Sequence, residues 1–339
     1  MQKILCFGEL LLRISPAATD ATQDPFSMYM GGAEANVARA LASWGININY
    51  CSALPDNFMA ARLIQFLNRE GVGTDKMILG GDRIGVYYLD QGADLKGAVI
   101  YDRADSAFAK LEPGKIDWDK VFEGIGWFNF SAITPAINQN LADICLDAVK
   151  AATRKNIVIS VDLNYRARLW KYGKDPVSIM KKIVPYCNLV MGNIWSANTL
   201  LGIGIDEDIH AKQSKQTYID QAIAVSKEII SLYPACRTVA NTFRFDTAEK
   251  QILYYTSLYH DRKNYLSPQF KIDQIVDRSG SGDCFMAGLI YGLLKNHDPQ
   301  GLLNFATAAA IGKLKENGDG TRQTVASVKS LLMKYTSHL

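Results

Sequence analysis

Apolar, strand-like segments alternate with amphipathic, helix-like segments along most of this 339-residue chain. The segment KILCFGE at 3–9 has the composition of a buried strand, and AEANVARALASWG at 33–45 repeats its apolar residues at helical spacing. Further along come GWFNFSA at 126–132, a predicted helix over 135–154, and NIVISVDLN at 156–164. This alternation predicts an α/β fold, in which a mostly parallel sheet is covered by helices on both faces.

The rest of the chain shows the same two patterns. Further strands are predicted over 47–54, 187–193 and 237–241, and further helices over 56–71, 217–232, 283–296, 301–316 and 323–335. Asp56 is placed to cap the helix at 56–71. No repeat, low-complexity tract or Pro/Gly-rich linker divides the sequence, so we expect a single domain over residues 1–339.

Residues 82–104 depart from the alternation. RIGVYYLD and GAVIYDR are short, rich in β-forming residues and flanked by turns, with no helix between them. This pattern predicts a β-hairpin added to the main sheet. Together with residues near 10–30, we expect it to form a small β lid that closes over the substrate and excludes water.

The composition argues against several classes of function. Lys and Arg number 37 and Asp and Glu 34, so the net charge of +3 does not suggest a nucleic-acid-binding face. No run approaches the roughly 20 apolar residues of a membrane span, and the N-terminus lacks a signal-peptide cleavage site. We therefore expect a cytoplasmic protein that binds neither nucleic acid nor membranes. The six cysteines are irregularly spaced without a C-x-x-C pair, which favours free, buried thiols.

The segment DRSGSGDCFMAG at 277–288 joins a glycine-rich turn to an apolar helix. The helix is expected to begin near Gly282 or Asp283, where the first backbone N–H groups have no partner within the helix. Gly280 and Gly282 permit a sharp bend and a close approach of a ligand to the backbone. Free N–H groups at the positive end of a helix dipole form an anion site, and phosphate commonly binds there. Taken alone, Asp283 is also compatible with a simple helix cap.

Two motifs give the chain a family resemblance. DRSGSGDCFMAG resembles the C-terminal signature of the ribokinase-like (pfkB) sugar kinases, usually Asp-Thr-Thr-Gly-Ala-Gly-Asp-x-Phe, and GGAEANVARALASWG at 31–45 resembles their Gly-Gly-x-x-x-Asn-x-Ala element. The motifs lie about 250 residues apart in the expected order, so the resemblance covers essentially the whole chain. It implies a three-layer α/β/α sandwich and the phosphorylation of a sugar hydroxyl, with ATP and Mg²⁺ as cofactors.

The resemblance also implies roles for individual residues. Asp283 would be the general base that takes the proton from the attacking sugar hydroxyl. The charge on the transferring phosphoryl group would be held by backbone N–H groups of Gly280, Ser281, Gly282 and Asp283. Contacts to the sugar would come from Gly32, Ala33 and Asn36.

Further details resemble one subgroup, the 2-keto-3-deoxygluconate kinases. GELLLRISP at 8–16 follows the subgroup pattern Gly-Glu-x-x-x-Arg-x-Ser/Thr-Pro, and VDLNYRARLW at 161–170 follows Asp-x-Asn-x-Arg-x-x-Leu-Trp. The resemblance places Arg103 and Arg166 beside the carboxylate of a sugar acid, which suits the planar guanidinium group. Tyr87 and Tyr101 would contact the same substrate, although aromatic residues are also common packing residues of strands.

The chain departs from the family pattern on the nucleotide side. Where relatives carry Asn-x-x-Glu, residues 193–196 read Asn-Ile-Trp-Ser, and the usual glycine-bearing loop is replaced by NTFRFDTAEK at 241–250. The resemblance and these positions give the following nucleotide-binding candidates: Asn164, Asn193, Asn241, Thr242, Arg244, Gly280, Gly282 and Asp319. Gly280 and Gly282 also belong to the expected phosphate site.

Other functions stay open at this point. The chain could phosphorylate a different sugar, such as fructose or ribose, or could be a non-catalytic sensor of sugar or nucleotide. A nicotinamide-dependent oxidoreductase is excluded because no Gly-x-Gly-x-x-Gly follows the first strand. The expected partners are a small sugar acid and ATP, and a homo-oligomer is plausible from the resemblance.

Overall fold

The computed structural model describes residues 3–16, 26–90, 98–209, 214–249 and 251–336. Its strands are β1 (Lys3–Phe7), β2 (Leu11–Pro16), β3 (Phe26–Gly31), β4 (Ile48–Cys51), β5 (Ala53–Leu54), β6 (Ile78–Leu79), β7 (Gly85–Asp90), β8 (Ala98–Asp102), β9 (Ile125–Ser131), β10 (Val158–Asp162), β11 (Leu189–Gly192), β12 (Thr238–Asp246), β13 (Ile252–His260), β14 (Lys263–Leu266) and β15 (Phe270–Ile272). Its helices are α1 (Ala33–Ser43), α2 (Phe58–Arg69), α3 (Trp118–Val121), α4 (Ile133–Ile137), α5 (Gln139–Arg154), α6 (Pro176–Ile183), α7 (Ile194–Leu201), α8 (Lys215–Leu232), α9 (Ser281–Leu294), α10 (Pro299–Lys313) and α11 (Val325–Thr336).

The main sheet has nine strands in the order β14-β13-β12-β11-β10-β9-β1-β4, with β15 paired to β13. All pairs from β12 to β4 are parallel, while β13 pairs antiparallel with β12, β14 and β15. The mostly parallel sheet predicted from the alternation is therefore confirmed. Since every parallel strand runs the same way, the carboxyl ends of β1, β9, β10, β11 and β12 share one edge of the sheet.

Each face of the main sheet carries its own apolar core. In β1, Ile4 and Cys6 face one core, and Leu5 and Phe7 face the other, as the period of two in a strand requires. The core that contains Leu5 and Phe7 is closed by α5, α6, α7 and α8, and the core that contains Ile4 and Cys6 by α1, α2, α9, α10 and α11. Burying a side chain such as Leu5 contributes about 1.5–3 kcal/mol. The result is the three-layer α/β/α arrangement expected from the resemblance.

The residues of the expected hairpin form part of a separate sheet. The hairpin strands β7 and β8 lie beside β2 and β3, which follow β1 in the sequence, in the order β3-β2-β7-β8. Tyr87 of β7 lies opposite Tyr101 of β8. The expectation that this hairpin extends the main sheet is therefore wrong. One face of β7 and β8 is solvent-exposed at Tyr88 and Ile100, whereas the central parallel strands are buried on both faces. Residues 17–25 and 91–97 of the predicted lid lie outside the described residues.

The structure corrects two of the predicted helices at Asn57 and at Asn138. Asn57, not Asp56, caps α2, because its Oδ1 accepts from the N–H groups of Met59 and Ala60 at 3.1 and 3.0 Å. The helix predicted over 135–154 is interrupted at Asn138, whose extended backbone separates α4 from α5. Asn and Asp both cap helices well, and the sequence alone does not decide which of two adjacent residues takes the position.

The segment 241–250 is not a loop over its first half. Strand β12 continues to Asp246 and pairs with β13 along its whole length, from Thr238 opposite His260 to Asp246 opposite Ile252. Phe243 and Phe245 pack on one face of β12, and Arg244 between them is exposed on the other. Apolar and polar residues alternate over 242–246 as in a strand, so the loop prediction is wrong for this half of the segment.

All six cysteines are buried and free, as expected. Within the described ranges, no helix combines the length and the apolar character that crossing a membrane requires.

Candidate active site

A cavity of about 440 Å³ lies where the carboxyl edge of the main sheet meets the small sheet. Asp162 and Gly192, which end β10 and β11, line it from the main sheet, and Tyr87 and Tyr101 line it from the small sheet. Every site residue predicted from the sequence lines this cavity except Asn241. Ligands in parallel α/β sheets bind at this edge, so the position of the cavity agrees with the architecture.

The N-terminus of α9 opens into the cavity. Gly280 precedes the helix with a left-handed φ of 75°, and a Cβ there would lie 1.8 Å from the backbone oxygen of Asp319. Only glycine fits this position, because it tolerates both the conformation and the close backbone contact. Among the described residues no side chain caps α9, so its first N–H groups stay available to an anion.

Asp283 lies in the first turn of α9, and its carboxylate meets the first turn of α1. The amide of Asn36 donates from Nδ2 to Asp283 Oδ2 at 2.8 Å. Helix α1 begins after Gly32, where φ is 131° and a Cβ would lie 2.5 Å from the carbonyl oxygen of Glu9. Because Gly280 occupies the cap position, the interpretation of Asp283 as a mere helix cap loses its support. Two helix N-termini, from the two sequence motifs, thus meet at one carboxylate.

Burial controls the charge of the acids in this cavity. It raises the pKa of Asp283 to about 6, against the opposing effects of the Asn36 hydrogen bond and the positive charge of Arg166. Burial also raises the pKa of Glu34 to about 7, although Glu34 accepts hydrogen bonds from Ser131. A carboxylate with a pKa near 6 is ionised at neutral pH and is a competent proton acceptor.

Arg103 stands on the wall of the cavity in a fixed orientation. It is 5% exposed, and its Nε contacts Glu9 Oε2 at 2.6 Å, while Ser106 Oγ donates to Glu9 Oε1 at 2.6 Å. Glu9 therefore holds Arg103 through one edge of the guanidinium group. Arg166 enters from the loop after β10, is exposed, and donates from Nη1 to the backbone oxygen of Tyr165 at 3.1 Å.

Asp319 connects the small sheet to the start of α9. Its carboxylate accepts from Arg13 Nη1 at 2.7 Å and from the hydroxyl of Tyr87, and its backbone oxygen lies against Gly280. Arg13 is 1% exposed and also contacts Asp277 Oδ2 at 2.7 Å. Asp319 thus carries internal contacts, and its nucleotide contact stays a prediction.

Four residues predicted for the nucleotide, Asn164, Asn193, Thr242 and Arg244, line the cavity after β10 and β11 and along β12. Asn193 caps α7 by accepting from the N–H of Ser196 at 2.8 Å, and Thr242 and Arg244 line the cavity from one face of β12. Asn241 is on the opposite face, where its Nδ2 donates to Ser226 Oγ at 3.1 Å. The strand alternation directs Asn241 away from the cavity, so its predicted nucleotide contact has no support in this geometry.

Sequence reasoning missed several residues that line the cavity: Glu9, Glu34, Asp162 and Arg278. Glu9 could have been found as an acid within an otherwise apolar N-terminal segment, and Asp162 as an acid at the end of a buried strand. For Asp162, burial and the neighbouring charge of Asp283 raise the pKa well above its usual range.

Comparisons with known proteins identify the family of this chain. The family model described as pfkB family carbohydrate kinase matches residues 1–324. The 2-dehydro-3-deoxygalactonokinase of Haloferax volcanii is 26% identical over 333 residues, which are 97% of this chain and 96% of that protein. The crystal structure of the 2-dehydro-3-deoxygluconokinase of Thermotoga maritima superposes with a TM-score of 0.89 and 34% identity, covering 98% of each chain.

A more distant structure, the ATP-bound fructokinase of Xylella fastidiosa, has a TM-score of 0.76 and 20% identity over 98% of this chain and 99% of that one, and shows the shared fold. The family match spans both helix N-termini and Asp283. The chain therefore belongs to the pfkB family of carbohydrate kinases, which transfer a phosphoryl group to a sugar.

Proposed function

We propose that this kinase transfers the γ-phosphoryl group of ATP to 2-keto-3-deoxygluconate, also called 2-dehydro-3-deoxygluconate, and forms 2-keto-3-deoxy-6-phosphogluconate. The observation that carries the proposal is that Arg103 and Arg166 line the same cavity as Asp283. A sugar acid brings a carboxylate that these guanidinium groups can bind through charge-assisted hydrogen bonds. The name of the Thermotoga maritima protein supports the same substrate class.

Asp283 is the base in this proposal. Its carboxylate accepts the proton of the sugar hydroxyl as that oxygen attacks the γ-phosphorus, and the bond to the leaving nucleotide oxygen breaks. The N–H groups of Ser281, Gly282 and Asp283 stabilise the charge on the transferring phosphoryl group. Asn36 keeps the Asp283 carboxylate oriented through the 2.8 Å hydrogen bond. Gly32 and Ala33 offer backbone contacts to the sugar, together with the side chains of Tyr87 and Tyr101.

The cavity fits a magnesium ion that arrives with the nucleotide. Over the residues that the structure describes, no cluster of three His, Cys, Asp or Glu side chains could hold a metal by protein ligands alone. Mg²⁺ commonly keeps several waters and binds substrate phosphates. Asp162 and Asn164, after β10, are the oxygen-bearing side chains that we propose to face its water shell. When bound, Mg²⁺ neutralises phosphate charge.

The substrate proposal is tested by measuring ADP release with a panel of acceptors. We expect kcat/KM for 2-keto-3-deoxygluconate to exceed that for fructose and ribose by at least roughly a hundredfold, because two charge-assisted contacts are absent with neutral sugars. The epimer 2-keto-3-deoxygalactonate tests whether the enzyme distinguishes between two sugar acids. Comparable turnover of fructose and the sugar acid would favour a kinase for neutral sugars, and ADP release with none of them would favour a non-catalytic sensor.

The hydrogen bond from Asn36 predicts a shift in the pH profile. Asn36 stabilises the charged form of Asp283, so Asn36→Ala should raise the pKa of Asp283 above its wild-type value of about 6. Since the base must be ionised, kcat falls as pH drops through this pKa. A lost hydrogen bond to a charged group corresponds to about one pH unit. The profile of kcat against pH should therefore move by about one unit to alkaline pH, and an unchanged acidic limb would exclude this role.

A further inference from the structure

Three arginines belong to the part of the cavity lining that β10, β12 and the segment before α9 supply. Arg166 follows β10, Arg244 stands on β12, and Arg278 lies two residues before Gly280; all three line the cavity. In the described part of the chain, no ion pair joins Arg166 or Arg244 to an acid. Like charges at close range raise the free energy of the unliganded protein, and an anion between them removes that cost. The arrangement therefore indicates an anionic ligand.

Arg278 is held in place by a carboxylate on β12. Its Nη2 and Nη1 contact the two carboxylate oxygens of Asp246 at 2.6 and 3.2 Å. Asp246 stands two residues beyond Arg244, so both side chains leave the same face of the strand. The guanidinium groups of Arg244 and Arg278 are thereby brought to one wall, with a single carboxylate between them.

The like charges are close enough to influence one another. Arg244 is exposed and lines the cavity. Desolvation by the surrounding protein lowers the pKa of Arg244. The positive charges of Arg278 and Arg166 lower it further, while Tyr254 and Asp246 act in the opposite direction. Arginine stays protonated despite such shifts, so all three groups keep their charge.

The strand order places this wall on the nucleotide side. The order β12-β11-β10-β9-β1 separates β12 from β1 by four strand spacings, about 19 Å at about 4.8 Å per spacing. Apart from Arg166, which follows β10, the proposed sugar contacts lie at the start of α1 and on the small sheet, and the start of α9 lies next to Asn36. An extended polyanion running from α9 toward β12 would pass Arg278 first and then Arg244.

We propose that Arg244 and Arg278 bind the polyphosphate chain of the nucleotide, and that Asp246 positions Arg278 for this contact. The inference deepens the proposed function and rests on ATP as the phosphoryl donor. Both arginines stand where the sequence departs from the family pattern: Arg278 replaces a threonine of the signature, and Arg244 lies where a glycine-bearing loop is usual. Guanidinium groups bind phosphate through paired hydrogen bonds, so they supply fixed positive charge at a site with Ser196 in place of an acid.

Nucleotide binding without sugar tests the inference apart from the sugar specificity. Calorimetric titrations of ATP, ADP and AMP would be compared for the wild type, Arg244→Met and Arg278→Lys. We expect Arg244→Met to weaken ATP binding roughly tenfold to a hundredfold, as one lost charge-assisted contact predicts, while AMP binding changes less than about twofold. Arg278→Lys keeps the charge near Asp246 but loses the planar fork, so its loss of ATP affinity should be smaller. Metal chelator in all titrations isolates the contribution of the protein.

Arg237→Met is the matched control, because Arg237 is exposed just before β12, at the opposite end of the same strand. It should leave all three affinities unchanged. Inorganic tripolyphosphate is a second probe that carries no base or ribose, and it should lose affinity in parallel with ATP. Equal losses for ATP and AMP, or wild-type tripolyphosphate and ATP affinity in Arg244→Met, would overturn the inference. Comparable turnover of neutral sugars and the sugar acid in the acceptor panel would instead count against the sugar acid alone.

Discussion

Asp283→Asn is expected to lower kcat by about 100-fold or more while sugar and nucleotide still bind, because general-base catalysis contributes on this order. The asparagine has the shape of the aspartate and can still accept the hydrogen bond from Asn36, so the geometry at the two helix N-termini is retained. The measurement is kcat from ADP release, together with calorimetric titration of each substrate.

Asp298→Asn is a matched control for this experiment. Asp298 caps the next helix, α10, by accepting from the N–H of Gly301 at 2.9 Å. Asparagine is a comparable cap, so both stability and kcat should stay near wild type. Turnover of folded Asp283→Asn within a few-fold of wild type would remove Asp283 from the role of base.

Changes at Arg103 and Arg166 are expected to lower kcat/KM for the sugar acid by roughly tenfold to a hundredfold each, as the loss of a charge-assisted hydrogen bond predicts. Arg166 is exposed and is best changed to alanine. Arg103 is buried against Glu9, so Arg103→Lys is the better variant, because it keeps a positive charge beside Glu9 and removes the planar fork.

The loss at these arginines should be specific to the acid. Residual activity on a neutral sugar should change little in either variant, and Lys171→Ala, at an exposed residue near the same loop but outside the cavity lining, should behave as wild type. Proportional losses for acidic and neutral acceptors would show that the arginines serve ATP or the fold, and would defeat the carboxylate contact.

The fold was predictable from the sequence because its signals are local. A helix or strand repeats its apolar residues within a short window, and alternating elements permit few arrangements other than a layered parallel sheet. The glycines at 280 and 282 marked a helix start in the same way. Asp56 and Asn57 show the limit of such signals, since two good capping residues stand side by side and the neighbouring backbone decides between them.

The internal support of the site was not predictable in this way. Arg13 contacts Asp277 and Asp319 across 264 and 306 residues of sequence, and no local pattern connects these positions. Glu9 and Arg103 form a similar pair across 94 residues. Asn241 and Thr242 differ in the face of β12 that they occupy. The sequence predicts this difference only if the stretch is recognised as a strand.

The contacts of Asp319 determine which parts of this enzyme can be exchanged between relatives. Its carboxylate belongs to the small sheet through Arg13 and Tyr87, while its backbone lies against Gly280 at the start of α9. A chimera that imports a foreign small sheet to change acceptor preference would bring a surface that does not match this carboxylate. A transplanted unit should therefore include Asp277 and residues 316–321 together with the small sheet, although these parts are far apart in the sequence.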